Sequence, residues 1–314
     1  MTDLSVAAPA APLPPEINVR FSPADLEALG PYGEIRWHEP GDVLFKEGDV
    51  RVDCCVLISG QLDVYLYTQG QETRAAWLEP GQFPGDVSIL TGQAVWANAR
   101  MVVAGEVLHI PHESFQRLLV ENSRLSDIFI NTMVARRALA RERGRSSITV
   151  VGMPYDRDAF ALRTLMDKHG MPYVWMDAEA DPALLDILAK KGIARDDLPV
   201  IFRGASERWV RPSVAQLSEA LGLDLMPDGA CADVLVVGAG PAGLAAAVYA
   251  ASEGLTVLAL DAEAPGGQAG SSSKIENYLG FPTGVSGREL AERAAVQAQK
   301  FGARLAGPAR GSSL

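Results

Sequence analysis

The chain has 314 residues, 48% of them apolar and 21% charged, with a formal net charge of −11. That length and balance describe a folded protein of two or three domains, each able to bury its own core. They exclude a disordered chain and a general nucleic-acid binder, since neutralising phosphates needs a basic face. Cys54, Cys55 and Cys231 offer neither a disulfide framework nor a metal-ligand spacing, so no metal site is expected and a reduced, cytoplasmic setting is.

The opening MTDLSVAAPAAPLPP lacks both a basic start and an apolar core, so residues 1–14 read as a disordered leader and not a signal peptide. SPADLEALG (22–30) predicts a short helix. Apolar and polar residues then alternate through VLF, CCVLIS and LDVYLYT between glycine-rich turns, the pattern of a β jelly roll. From His112 to Arg143 the period becomes helical, with Phe115, Leu118 and Leu119, then Leu125, Ile128, Phe129, Thr132 and Met133, on one stripe.

Within this first region, EPGDVLFKEGD (39–49), LISGQLDVY (57–65) and EPGQFPGDVSILTGQ (79–93) resemble the cyclic-nucleotide-binding domain, over residues 15–143. The resemblance implies a phosphate cradle at Gly85, Asp86 and Ser88, a cyclic nucleotide or another small ligand as partner, and a last helix of the type that forms homodimers. Where that family supplies an arginine to the phosphate, this sequence has Ala94, Val95 and Trp96. Losing that charge-assisted pair forfeits about 1.5–3 kcal/mol and argues against a cyclic nucleotide. Arg136, Arg137, Arg141, Arg143 and Arg145 read as a solvated helix end leading into a linker. A transcription factor would continue with a helix-turn-helix, whereas here the strand ITVVG follows.

From Ser147 the order is strand (ITVVG), amphipathic helix ending at Gly170, strand (PYVWMD), helix (DPALLDILAKKG), strand (PVIFRG) and helix (PSVAQLSEALGL). This resembles a thioredoxin or glutaredoxin-like domain over residues 147–225. Redox-active relatives carry Cys-Pro-Tyr-Cys after the first strand, where the helix N-terminus favours a thiolate. Here the turn is Met153, Pro154, Tyr155 and Asp156, so no dithiol exchange is expected of it, and docking or spacing is the expected role. Leu198-Pro199 stands where that fold carries a cis-proline.

Residues 234–252 are uncharged, yet three glycines and Pro241 interrupt them as a membrane span would not be interrupted. They read instead as a strand (VLVV), a tight turn (Gly238, Gly240, Pro241, Ala242, Gly243) and a helix, followed by a second strand ending at Asp261. Gly238 permits the turn, Gly240 lets backbone amides approach a pyrophosphate, and Gly243 allows close helix–strand packing. The helix N-terminus favours the phosphates, and the carboxylate of Asp261 suits ribose hydroxyls and repels a 2′-phosphate.

The continuation APGGQAGSSSKIENYLGFPTGVSGREL (264–290) resembles the low-molecular-weight thioredoxin reductases, over residues 231–314. That resemblance implies FAD in this site, with Gly267, Gln268 and Asn277 contacting the flavin nucleotide and Ser273 as a polar neighbour. It also implies, for a complete enzyme, electron flow from NADPH through FAD and a Cys-x-x-Cys dithiol to the disulfide of a thioredoxin-like protein. The sequence holds no second glycine turn and no Cys-x-x-Cys.

The fold class expected is therefore multidomain α+β and α/β: a jelly roll with a C-terminal helix, a thioredoxin-like βαβ domain, and an incomplete Rossmann-type FAD-binding half. The chain reads as the N-terminal portion of a thioredoxin-disulfide reductase, truncated at its C-terminus and without turnover or catalytic residues as written. The alternative is a non-catalytic ligand-sensing or partner-docking protein.

Overall fold

The computed structural model describes residues 17–68, 71–223 and 231–308; the expected leader at 1–14 lies outside the described residues. The first region opens with helix α1 (Pro23–Leu29), fixed at its start by a capping box: the Ser22 hydroxyl accepts from the Asp25 amide at 3.3 Å, and the Asp25 carboxylate accepts from the Ser22 amide at 3.0 Å. Strands β1 (Glu34–His38), β2 (Val43–Phe45), β3 (Cys54–Leu57), β4 (Gln61–Thr68) and β5 (Gln71–Leu78) follow. After the short helix α2 (Val87–Thr91) come β6 (Asn98–Val103) and β7 (Gly105–Ile110). They form two antiparallel sheets, β1-β7-β3 and β2-β6-β4-β5, which face each other as a sandwich.

The helical stretch after the sandwich divides into α3 (His112–Glu121) and α4 (Ser123–Glu142). Asn122 leaves the helical backbone region, at φ −125° and ψ 91°, and caps α4 by accepting from the Leu125 amide at 3.0 Å. The apolar stripe read from the sequence packs under α1 and the β3–β7 sheet. There Phe21, Phe83, Phe115 and Phe129 form an aromatic cluster with ring centroids 4.7–5.7 Å apart.

The middle region runs β8 (Ile148–Gly152), α5 (Arg157–Lys168), β9 (Val174–Asp177), α6 (Ala183–Lys190), β10 (Val200–Arg203), β11 (Glu207–Val210) and α7 (Val214–Ala220). Its sheet has the order β11-β10-β8-β9, with β8 and β9 parallel and β10 antiparallel to both its neighbours. β11 is absent from the sequence reading: ERWV has only four residues, and a turn through Gly204, at φ +64°, folds it back onto β10. The Leu198–Pro199 peptide is cis.

In the last region β12 (Val234–Val237), α8 (Pro241–Ser252), β13 (Val257–Leu260), α9 (Gly287–Lys300) and β14 (Arg304–Ala306) build a parallel sheet of order β12-β13-β14. The uncharged stretch at 234–252 is thus a strand, a turn and a helix, and no helix among the described residues is long and apolar enough to cross a membrane. α8 and α9 cover one face through small side chains, with Leu244, Ala247 and Ala251 against Ala298 and Ala303. On the other face of β12, Leu235 and Val237 are exposed.

Helix α4 touches all three regions. Arg137 Nη1 donates to the Gly170 carbonyl at 3.2 Å, and Arg141 Nη1 pairs with Glu292 of α9 at 2.6 Å. Emptying the aromatic cluster on this helix tests its weight. Phe129→Ala removes a fully buried ring, so a loss of about 3–5 kcal/mol is expected in urea unfolding. A loss under about 1 kcal/mol would place the core elsewhere.

Candidate functional site

The turn between β12 and α8 is three residues long, and each glycine in and beside it answers a different demand. Gly238 takes φ +95°, and its N–H donates to the Leu260 carbonyl at 2.7 Å, tying the turn to the end of β13. A Cβ on Gly243 would lie 1.8 Å from the Gly238 oxygen, so helix and turn meet only because Gly243 lacks one. Gly240 is the reverse case. Nothing lies within 4 Å of where its Cβ would stand, and it is the cap from which α8 starts, with Pro241 and Ala242 in the first turn.

The amides of that first turn have no intrahelical acceptors and carry the positive end of the helix dipole. The PGGQ segment closes on the same point. Gly266, at φ +107°, donates to the Ala239 carbonyl at 2.7 Å, and a Cβ on Gly267 would come within 3.2 Å of the Gly240 Cα. Gly240 and Gly267 therefore form two walls of one open cradle. Gln268 and Asn277 are exposed, without hydrogen-bond partners for their side chains among the described residues, and Ser273 is exposed.

Asp261 has a second task that its position in the sequence does not reveal. Oδ2 accepts from the Ala239 amide at 2.9 Å, and Oδ1 accepts from the Glu263 and Ala264 amides at 3.0 and 3.2 Å. The carboxylate thus braces the turn from behind. Of its roughly four lone-pair sites three are taken, which leaves one for a hydroxyl.

In the sandwich, Gly85, Asp86 and Ser88 lie together at the start of α2, with Asp86 capping it by accepting from the Ser88 amide at 3.0 Å. The countercharge comes from α4. Arg137 is ion-paired to the buried Asp86 carboxylate through Nε and donates from Nη2 to Ser88 Oγ at 2.7 Å. Trp96 donates from Nε1 to the same carboxylate at 2.7 Å. Burial alone would raise the Asp86 carboxyl, but the Arg137 charge and the bonds from Arg137, Trp96 and the Ser88 amide outweigh it and hold the group below the ordinary carboxylate value.

This corrects the reading of the arginine run as a solvated helix end, because Arg137 is only 7% exposed. The signal was available: Phe129, Met133, Arg137 and Ala140 recur at helical spacing, which puts Arg137 on the buried stripe. Arg136 also turns inward, donating from Nε to the Ile17 carbonyl at 3.0 Å and from Nη1 to the Phe83 and Gly85 carbonyls at 2.8 and 3.0 Å. Beside it lies a cavity of about 100 Å³ walled by Leu66, Leu78, Val95, Trp96 and Leu139.

The thiols stand apart from both places. Cys54 and Cys55 are buried on β3, and burial pushes both well above the usual thiol range. At the turn after β8, Asp156 caps α5 by accepting from the Ala159 amide at 2.7 Å, and Tyr155 beside it is 95% exposed. No group of His, Cys, Asp and Glu among the described residues could hold a metal ion.

Residues 35–122 match the family described as cyclic nucleotide-binding domain, and residues 233–306 match FAD dependent oxidoreductase, whose cofactor is FAD. A thioredoxin reductase of Treponema pallidum is 49% identical over 74 residues, 24% of this chain and 24% of the relative. The chain spans about a quarter of the length of the curated relatives it matches. Among solved structures, an atypical thioredoxin reductase from Desulfovibrio vulgaris Hildenborough is 46% identical over 23% of each chain, with a TM-score of 0.21. A transcriptional regulator from Thermotoga maritima is 21% identical, covering 38% of this chain and 94% of its own, with a TM-score of 0.35.

The Arg137–Asp86 pair gives a pH-dependent test. A carboxylate with a depressed folded pKa contributes stability above its unfolded value near 3.9, and that contribution is lost as pH falls through the folded value. Arg137→Ala leaves the carboxylate buried without its cation, so about 3–5 kcal/mol of destabilisation is expected at pH 7. With the cation gone, burial raises the group, which then protonates on mild acidification. The difference in melting temperature between parent and variant should therefore narrow from pH 7 to about pH 4.5; a gap that widens would contradict the pairing.

Proposed function

We propose that residues 233–306 hold the ADP half of FAD, and that this chain is the FAD-binding part of a thioredoxin-disulfide reductase. A ligand-binding barrel over 15–143 and a thioredoxin-like domain over 147–225 stand in front of it. The observation that carries the flavin reading is Gly240. Its backbone lies open between the α8 N-terminus and Gly267, and the space a Cβ would need is empty, as close approach of a pyrophosphate requires.

FAD, when bound, supplies the two-electron relay between a nicotinamide donor and a thiol pair. The chain's own residues bind and orient it. Amides after Gly240 face the phosphates, the free lone pair of Asp261 receives a ribose hydroxyl, and its charge disfavours a 2′-phosphate. Gly267, Gln268 and Asn277 would close over the nucleotide. The reductase activity of the relatives, from NADPH to a thioredoxin-like protein, is the activity proposed for the protein that contains this module. Its dithiol step would need cysteines other than the buried Cys54 and Cys55.

A second reading, partner docking without chemistry, is favoured by the middle region. The sheet order β11-β10-β8-β9 supports a thioredoxin-like fold, yet the helix start that would stabilise a thiolate is capped by the Asp156 carboxylate, beside an exposed Tyr155.

Two glycine variants separate binding from folding. Gly240→Ala has room for its methyl, so its stability should stay within about 1 kcal/mol of the parent, while FAD affinity measured by fluorescence titration falls about tenfold or more as the phosphate approach is blocked. Gly243→Ala drives a methyl into the Gly238 carbonyl and should cost about 1–3 kcal/mol in stability. Undiminished FAD binding by Gly240→Ala would remove the basis of the flavin reading.

A further inference from the structure

We propose that the cysteine-free middle region serves the nucleotide site: Lys168 and His169, at the end of α5, position the loop that follows β13 and, through it, the glycine turn. The ligand named rests on the flavin reading; the positioning does not.

Both residues turn to one residue of the last region. The Lys168 ammonium is ion-paired to the Glu263 carboxylate, and His169 Nε2 lies 3.4 Å from the Glu263 carbonyl oxygen. Burial pushes the imidazole down to about 4, although the Glu263 carbonyl and the Asp261 charge both act in the other direction. The ring is therefore neutral at pH 7 and carries one N–H, which the carbonyl fixes on Nε2 as a donor. The far end of this contact is anchored too, because the Gly170 carbonyl accepts from Arg137 Nη1 of the barrel helix at 3.2 Å.

Glu263 in turn belongs to the hydrogen-bonded frame of the glycine turn. Its amide and that of Ala264 donate to Asp261 Oδ1, while Oδ2 of the same carboxylate accepts from the Ala239 amide. Gly266 closes the loop by donating to the Ala239 carbonyl at 2.7 Å. A displacement of Glu263 is thus passed through one carboxylate to Ala239, the residue before Gly240, whose backbone lies open to the cradle. Amides that receive a ligand bind it best when they are held in place beforehand, since ordering them during binding is paid from the affinity. The exposed ion pair contributes little by itself. The desolvated imidazole, with no water to replace its bond, carries most of the effect.

Hydrogen exchange on the 314-residue chain without nucleotide tests the positioning, and fluorescence titration with FAD tests its consequence. His169→Ala is expected to speed exchange at Ala239 and across residues 261–266 about tenfold, with β8 and β10 unchanged. Its FAD affinity should fall about five- to tenfold. His169→Gln, whose side-chain amide can donate to the Glu263 carbonyl in place of Nε2, should restore both, which a ring acting only by its bulk would not allow. Because His169→Ala can loosen the whole joint, a second variant is needed. Lys168→Glu is an exposed change that sets two carboxylates against each other, and it should weaken FAD about threefold at low salt and less at high salt. Unchanged exchange in His169→Ala, exchange that speeds equally through β8 and β10, no recovery in His169→Gln, or FAD affinity unmoved by His169→Ala would each overturn the proposal. A parent chain that binds no FAD would instead sink the flavin reading, and the exchange result then decides the positioning alone.

Discussion

A carboxylate buried among apolar strands must find a cation or be neutralised, and most of the architecture follows from how Asp86 meets that demand. The loop between α2 and β6 supplies no cation at Ala94, Val95 or Trp96. The cation has to arrive from outside, and helix α4 brings Arg137. For that residue to reach α2, the helix must lie against the sandwich, which is what the aromatic stripe through Phe129 enforces. The same guanidinium then has a third edge, spent on the carbonyl of Gly170 in the next region. Electrostatic necessity in one domain becomes a structural joint between two. One turn further on, Arg141 extends the contact to α9.

The glycine turn solves a related problem by different means. It leaves backbone amides facing empty space at the start of α8, and uses no guanidinium. Its precision depends on side chains that are missing, at Gly238, Gly243 and Gly267, and on one that is present, the carboxylate of Asp261 holding the amides of Ala239, Glu263 and Ala264. Replacing that carboxylate would loosen the turn before it affected any ribose contact. Asp261 is therefore a positioning residue for the turn.

What could be read from the sequence was whatever depends on local backbone requirements. The glycine turn, the strand–helix–strand unit around it and the apolar stripe of the barrel helices were legible, because steric exclusion and periodicity act within a few residues. β11 was not, since four residues with one tryptophan carry too little alternation to stand out and gain their strand identity only from pairing with β10. The fates of Arg136 and Arg137 were also hidden, although Arg137 lies on the stripe of Met133 and Ala140. A cluster of five arginines suggests solvent unless the partner, fifty-one positions upstream, is recognised as a charge in need. Long-range charge pairing leaves no periodic trace.

The starts of α2 and α8 thus differ in kind. Where a side-chain cation is locked to a side-chain anion, as at Arg137 and Asp86, the site is satisfied from within; a phosphate would have to displace a carboxylate that is tethered, desolvated and hydrogen-bonded by Trp96. Where amides at a helix start face open space, as after Gly240, no side-chain anion occupies the place. Arg136 falls between these limits, with most of its donors tied to carbonyls and one nitrogen left over. Adjacent residues on one helix have different targets, Arg137 the Asp86 carboxylate and Arg136 the carbonyls of Ile17, Phe83 and Gly85. This follows from the α-helix itself, which turns successive side chains by about 100° and so can aim neighbouring arginines at different targets.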